Sequence, residues 1–175
     1  MKIYIAGKVS NHSVFGTHDW RKNFCAELEK LSGLKLENLD PIKFETDTMK
    51  TEEIFAKDCY LIREADIVVV YLSDDISVGG SQEILIAKYF AKPVIGLAPR
   101  GGKFNGNSRK IGGRMVKDYR DPFVFSTCDA VCGNIREVSL ALEKLPQSTP
   151  PPIKTIDLIG KAAESFAKQR ERVNG

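Results

Sequence analysis

Short apolar runs bounded by turn residues alternate along this chain with longer stretches in which apolar positions recur every three or four residues. The runs at Lys2–Ala6, after its lysine, Ile67–Leu72 and Pro93–Leu97 are continuously apolar, as strands buried on both faces are. A shorter run near Lys35–Leu39 and the triplet Phe123–Phe125 are read as two more strands. Between them the helical period predicts a helix from about His18 to Ser32, which Gly33 ends, and another from Thr51, with Glu52 and Glu53 in its first turn, to about Ala65. A third helix carries Glu83, and a fourth runs from about Asn134 to Leu145. In the tail Ile156, Ile159, Ala163 and Phe166 keep helical spacing. Strand and helix in alternation predict an α/β fold, a doubly wound parallel five-stranded sheet of Rossmann or flavodoxin type, with a C-terminal helical extension. The expected organisation is a catalytic domain over 1–146, a proline-rich linker over 147–152 and an amphipathic helix over 153–175.

Composition changes this picture little. The 175 residues are 42% hydrophobic and 28% charged, with a net charge of +3, too small by itself to argue for a nucleic-acid polymer, and none is expected as a partner. Lys103, Arg109, Lys110, Arg114, Lys117 and Arg120 do cluster in one glycine-rich segment, which is either a basic loop over an anionic ligand or a solvated loop. No run reaches the roughly 18 to 20 apolar residues of a membrane span, and the N-terminus reads as a core strand rather than a signal peptide, so the expected location is cytoplasmic. Cys25, Cys59, Cys128 and Cys132 lack metal-ligand spacing and read as buried thiols in a reducing compartment; no metal or other cofactor is expected.

Chemistry concentrates after the third strand. In SVGGSQEILIAKYF, Glu83 follows Gly79 and Gly80 and is placed in the first turn of a helix, where the helix dipole favours the carboxylate and glycine N–H groups can hold an anion. Such a glutamate is either a nucleophile or a residue that merely complements the dipole. Asp58 falls within the stripe Ile54, Leu61, Ala65 and so points at the core, where a carboxyl tends to gain a raised pKa suited to proton transfer. An Asp at the edge of that stripe, bound to a backbone N–H or a cation, is the plainer alternative. Gly7, Ser77 and Gly79 follow strands at the carboxyl edge of the sheet, where ligands of such folds bind.

In this order and spacing, KIYIAG, DCYLIREADIVVV and SVGGSQEILIAKYFAKPVIGL resemble the nucleoside 2-deoxyribosyltransferase superfamily, which includes the nucleoside 5′-monophosphate N-glycosidases; the resemblance covers about Lys2 to Leu97. It implies that Glu83 attacks the sugar C1′, that Asp58 is the acid/base near the leaving base, and that Tyr4 hydrogen-bonds the nucleophile. Two carboxylates suit an oxocarbenium-like transition state, one as an anion at C1′ and one for proton delivery.

Departures from the family pattern refine the expectation. Relatives acting on free nucleosides tend to carry an Asp where this chain has Ser77, and a hydroxyl beside Gly79 and Gly80 suits a phosphate that a carboxylate would repel. Asp74 and Asp75 lie close enough for one of them to take the transferase role instead. Ser81, here taken as substrate-binding, and Leu85 stand where relatives commonly have glycine. Trp20 and Arg21 are read either as a base-stacking ring and a phosphate partner or as a half-buried Trp and a solvated Arg. The expected function is hydrolysis of a (deoxy)nucleoside 5′-monophosphate to base and sugar phosphate. Base exchange on nucleosides and a silent nucleotide-binding module are the alternatives. A homodimer or larger assembly is expected, with its interface beside the site.

Overall fold

The computed structural model describes residues 1–7, 20–44, 49–72, 76–144 and 153–174. The strands are β1 (Lys2–Ala6), β2 (Glu37–Asn38), β3 (Ile67–Tyr71), β4 (Val94–Leu97), β5 (Ser108–Ile111), β6 (Arg114–Lys117) and β7 (Ala130–Cys132). The helices are α1 (Trp20–Ser32), α2 (Thr51–Glu64), α3 (Val78–Tyr89), α4 (Pro122–Thr127), α5 (Ile135–Lys144) and α6 (Leu158–Asn174). Five strands form one parallel sheet in the order β2-β1-β3-β4-β7, while β5 and β6 pair as a separate antiparallel ribbon. The strand order reverses between β1 and β3, and a sheet of this kind opens its ligand crevice at that point.

Strand alternation sorts side chains onto two faces. Ile3 and Ile5 of β1, with Ile67 and Val69 of β3, pack beneath Trp20, Phe24, Leu28, Val138 and Leu142 of α1 and α5. Tyr4 and Ala6, with Val68 and Val70, face Leu61, Ile62, Ile84 and Ala87 of α2 and α3. Period two in the strands therefore puts Tyr4 on the layer that carries both candidate carboxylates.

The apolar triplet Phe123–Phe125 is not a strand. It lies inside α4, because the Asp121 carboxylate accepts from Phe123 N and Val124 N at 3.0 Å each and Pro122 supplies the first helical residue. The fifth strand is β7, whose three residues are too few to show a period. Val138 and Leu142 of α5 are buried within the chain's own core. The expected linker over 147–152 lies outside the described residues, as do His18, where α1 was expected to begin, and Asp74 and Asp75. α6 follows, exposed over 159–172.

One buried ion pair ties these layers together. Asp129 and Lys88, both without exposure, are directly hydrogen-bonded. The same carboxylate accepts from Val94 N at 2.7 Å, and its other oxygen from Lys154 N at 2.7 Å. Removal from water pulls the Lys88 pKa down, and Asp129 opposes that shift. Breaking such a pair strands a buried charge. Asp129→Ala should therefore lower the unfolding free energy in urea by about 3–5 kcal/mol, and Lys88→Met with Asp129→Asn, which removes both charges and keeps an acceptor for one of the two backbone N–H groups, should recover part of it. A loss below about 1 kcal/mol for the single variant would remove the pair from this role.

Candidate active site

The site is assembled from three elements at the carboxyl edge of the sheet. Tyr4, fully buried on β1, donates its hydroxyl to Glu83 Oε1 at 2.7 Å. Glu83 stands on α3, and Asp58 on α2 acts on both groups electrostatically, its negative charge raising the pKa of each. Lys57 places its ammonium 3.5 Å from Asp58 Oδ1 and donates to Pro41 O at 3.0 Å, so a cation borders the two carboxylates.

Local sequence explains why α3 presents Glu83 in this way. Ser77 is the N-cap, and its hydroxyl accepts from Gly80 N at 3.0 Å. The helix thus begins at Val78, and Glu83 lies in the second turn rather than the first. Gly79 and Gly80 are four and three residues before it, on the face toward which its side chain leans. A side chain at Gly79 would meet only open space and Ser77 Oγ at 3.9 Å, so the backbone there is open to approach. The expectation that both glycine N–H groups are available to an anion is corrected at Gly80, whose N–H belongs to the cap. Helix geometry leaves the N–H groups of Val78 and Gly79 without intrahelical acceptors.

The electrostatics also differ from expectation. A first-turn position was expected to hold Glu83 ionised; instead burial raises its pKa, the Tyr4 hydrogen bond lowers it, the Asp58 charge raises it again, and Arg21 and Lys57 lower it. Burial with two nearby carboxylates also pushes the Tyr4 phenol far above its ordinary range, so Tyr4 stays protonated and donates permanently.

Trp20 and Arg21 are not ligand-facing residues. The Trp20 ring, 1% exposed, packs against Phe24 and Tyr71 at centroid distances of 6.2 and 5.4 Å, which is incompatible with stacking on a base. Arg21, 2% exposed, donates from Nε to Ile5 O at 2.9 Å and from an NH2 nitrogen to Gly7 O at 2.6 Å. It fixes the end of β1 and lends positive potential to Tyr4 and Glu83 from behind. Gly7 leaves room for this arrangement, because a Cβ there would lie 2.9 Å from the Trp20 ring. Ser81 donates to Val78 O at 2.7 Å and, with Gln82, lines a different depression, about 360 Å³ between α3 and α4, beside Ile76, Leu85 and Phe123. Lys57 was missed by sequence reasoning, and only its place next to Asp58 hinted at it. Among the described residues no group of His, Cys, Asp or Glu is arranged to hold a metal ion, and no helix is long and apolar enough to cross a membrane.

Comparison with known proteins finds similarity in structure alone. No family model matches the sequence, and no curated protein matches it. Among solved structures, a conserved protein of Enterococcus faecalis V583 superposes with a TM-score of 0.59 at 16% identity, covering 82% of this chain and 98% of that one. The 2-deoxyribosyltransferase of Bacillus psychrosaccharolyticus gives 0.54 at 18% identity, over 89% of this chain and 98% of its own. The fold is that of the 2-deoxyribosyltransferases. A 2-desoxiribosyltransferase of Leishmania mexicana agrees at 0.53 and 18% identity, over 81% and 95% of the two chains. Tyr4 stands on β1, one of the two strands between which the order of the sheet reverses.

A buried carboxyl with a raised folded-state pKa adds stability at low pH and loses it as pH rises through that pKa. Glu83→Gln, which keeps an acceptor for Tyr4 but carries no charge, should match the wild type near pH 4 and exceed it increasingly toward pH 8. Urea midpoints of the two proteins across that range check this. Parallel curves would mean that Glu83 is solvated.

Proposed function

We propose that the protein hydrolyses the N-glycosidic bond of a (deoxy)nucleoside 5′-monophosphate, releasing the free base and a sugar 5-phosphate. The observation that carries the proposal is the 2.7 Å hydrogen bond from Tyr4 to Glu83, with Asp58 near enough to perturb both. Tyr4 occupies Oε1, which leaves the other oxygen to attack C1′. As that C–O bond forms, the C1′–N bond breaks; its electron pair goes to the base, and Asp58 supplies the proton. Water then attacks C1′ of the glycosyl-enzyme ester, gives its proton to Asp58, and frees Glu83. Burial makes the attacking anion weakly solvated and reactive, while the tyrosine donor, Arg21 and Lys57 favour the ionised form.

The phosphate is assigned to the start of α3. The N–H groups of Val78 and Gly79 lack intrahelical acceptors, the space over Gly79 is open, and Ser77 brings no charge. Turnover of a panel of nucleosides and their 5′-monophosphates, followed as free base by chromatography, tests the whole reading. Wild type should release base from monophosphates without an acceptor base, and Glu83→Gln should release none. Ser77→Asp preserves a good N-cap but sets a carboxylate against the phosphate, so the kcat/KM preference for monophosphate over nucleoside should fall by about tenfold or more, roughly 1.4 kcal/mol. Release only in the presence of a second base would assign base exchange. A thermal shift with ligand but no turnover would assign a binding module.

The site is also proposed to lie beside an interface between copies of this chain. Val78, Leu85 and Tyr89 form an outward stripe on α3, with Val78 76% and Tyr89 68% exposed, and Phe123 on α4 is 80% exposed beside it. These are large apolar groups on the helix that carries Glu83, at the spacing of one helical face. If a second copy covers them, specific activity should fall on dilution through the dissociation constant of the assembly. A fully active monomer by light scattering at micromolar concentration contradicts this.

A further inference from the structure

The β5–β6 ribbon is neither part of the sheet nor covered by it. All eight of its strand residues are exposed, and Gly112 and Gly113, both at positive φ (54° and 82°), make the two-residue turn that joins the strands. Pairing of Arg109 with Val116 and of Ile111 with Arg114 puts these four side chains on one face; Ser108, Lys110, Met115 and Lys117 take the other. Each face therefore carries two cations separated by aliphatic groups. The ribbon springs from the carboxyl end of β4, held at its root by Asp118 N on Asn107 O and by Asp121 N on Phe104 O at 2.9 Å, with Phe104 in the core.

Charge is segregated onto this segment. From Arg100 to Asp121 there are seven cations and two carboxylates, a net +5, against +3 for the whole chain, so the remainder is net −2. Among the described residues Arg109, Lys110, Arg114, Lys117 and Arg120 form no ion pair. Arg109 instead lies 5.0 Å from the Tyr119 ring centroid, and Arg120 5.5 Å from that of Phe125. A depression of about 450 Å³ at the ribbon's root is lined by Lys103, Arg109, Ser108, Asn107 and glycine backbone, with no carboxylate on its wall. The five cations Arg109, Lys110, Arg114, Lys117 and Arg120, outside any ion pair among the described residues, repel one another, and an external anion relieves the repulsion.

We propose that the ribbon and the depression at its root bind the phosphodiester backbone of a nucleic acid. A mononucleotide presents one phosphate and reaches one or two of these cations. A strand presents a phosphate every few ångströms, which suits cations spread over both faces of a ribbon whose strands each run roughly 13 Å. Ile111, Met115 and Val116 provide apolar surface between the cations for the bases, and a two-stranded ribbon also has the width of a DNA major groove. The whole-chain charge of +3, on which no polymer was expected, averages this segment away. This inference is independent of the proposed hydrolysis.

Fluorescence anisotropy of a labelled 20-nucleotide single strand, and of the corresponding duplex, tests it with the full-length protein. Binding of at least one form is expected, with log affinity falling against log salt at a slope of about 3 to 4, as four or five phosphate contacts require. The quadruple variant Arg109→Ser, Lys110→Ser, Arg114→Ser, Lys117→Ser should bind at least tenfold more weakly with its thermal transition intact. Should it fail to fold, Lys110→Ser and Lys117→Ser singly should each lower the slope by roughly 0.7 to 0.9. The form that binds more tightly identifies single strand or duplex as the source of the backbone. No binding of either form, affinity unchanged in the variants, displacement of the strand by millimolar mononucleotide, or equal capture by vesicles of anionic lipid would each overturn the proposal.

Discussion

The buried carboxylate of Asp129 is the constraint on which the placement of the candidate site depends. A charge without exposure must have its partners in fixed positions, and those of Asp129 come from three places: the Lys88 ammonium near the end of α3, Val94 N at the start of β4, and Lys154 N ahead of α6. Lys154 adds its own ammonium to Phe125 O at 3.1 Å and Cys128 O at 2.6 Å. The C-terminal end of α3 is thereby locked to the sheet. The Ser77 cap fixes where the helix begins, and the hydrogen bond from Tyr4 holds its middle to β1. Held at its middle and its C-terminal end, the helix keeps Glu83 beside β1. The nucleophilic role proposed for Glu83, which must meet a single carbon, requires such a fixed position.

Within that frame the site works by opposition of forces. Burial and Asp58 push Glu83 toward its neutral form, and Tyr4, Arg21 and Lys57 pull it back. Arg21 contributes without touching the carboxylate, since its hydrogen bonds go to Ile5 O and Gly7 O. A guanidinium bonded to the strand carbonyls supplies potential without occupying either oxygen of Glu83. Were Arg21 paired directly with Glu83, the ion pair would blunt the nucleophilic role proposed for that carboxylate.

Much of this was legible in the sequence wherever one residue's period decided the matter. The helical repeat of α2 put Asp58 among core-facing positions, whereas Tyr4 was reached through the family resemblance of KIYIAG. What escaped depended on contacts between distant segments. Trp20 reads as a base-stacking or half-buried ring until Gly7 is seen to leave the gap that its ring fills. The Lys88–Asp129 pair joins residues 41 positions apart, and nothing in either neighbourhood distinguishes it from two solvated charges. Phe123–Phe125 misled because a short apolar run has no period of its own; the start signal of α4 was the Asp-Pro before it. Glu83 moved from first to second turn for the same kind of reason, because the serine two residues before Gly79 sets where α3 begins.

The structural neighbours share only 16–18% of their residues with this chain yet superpose over most of its length. A parallel sheet buried on both faces explains this tolerance: β3 requires apolar, β-branched side chains of about the right size, and many sequences meet that requirement. Fold similarity at that level therefore says little about chemistry. The positions that cannot drift are those whose geometry is exact in kind as well as in size: a phenol opposite a carboxylate, a hydroxyl or carboxylate to cap α3, and a glycine where an indole crosses β1. The β5–β6 ribbon obeys neither constraint, since it fills no core and touches no carboxylate of the site. Its four cations with no carboxylate among them are thus not explained by folding, and a surface whose composition folding does not explain is one whose composition answers to something outside the chain.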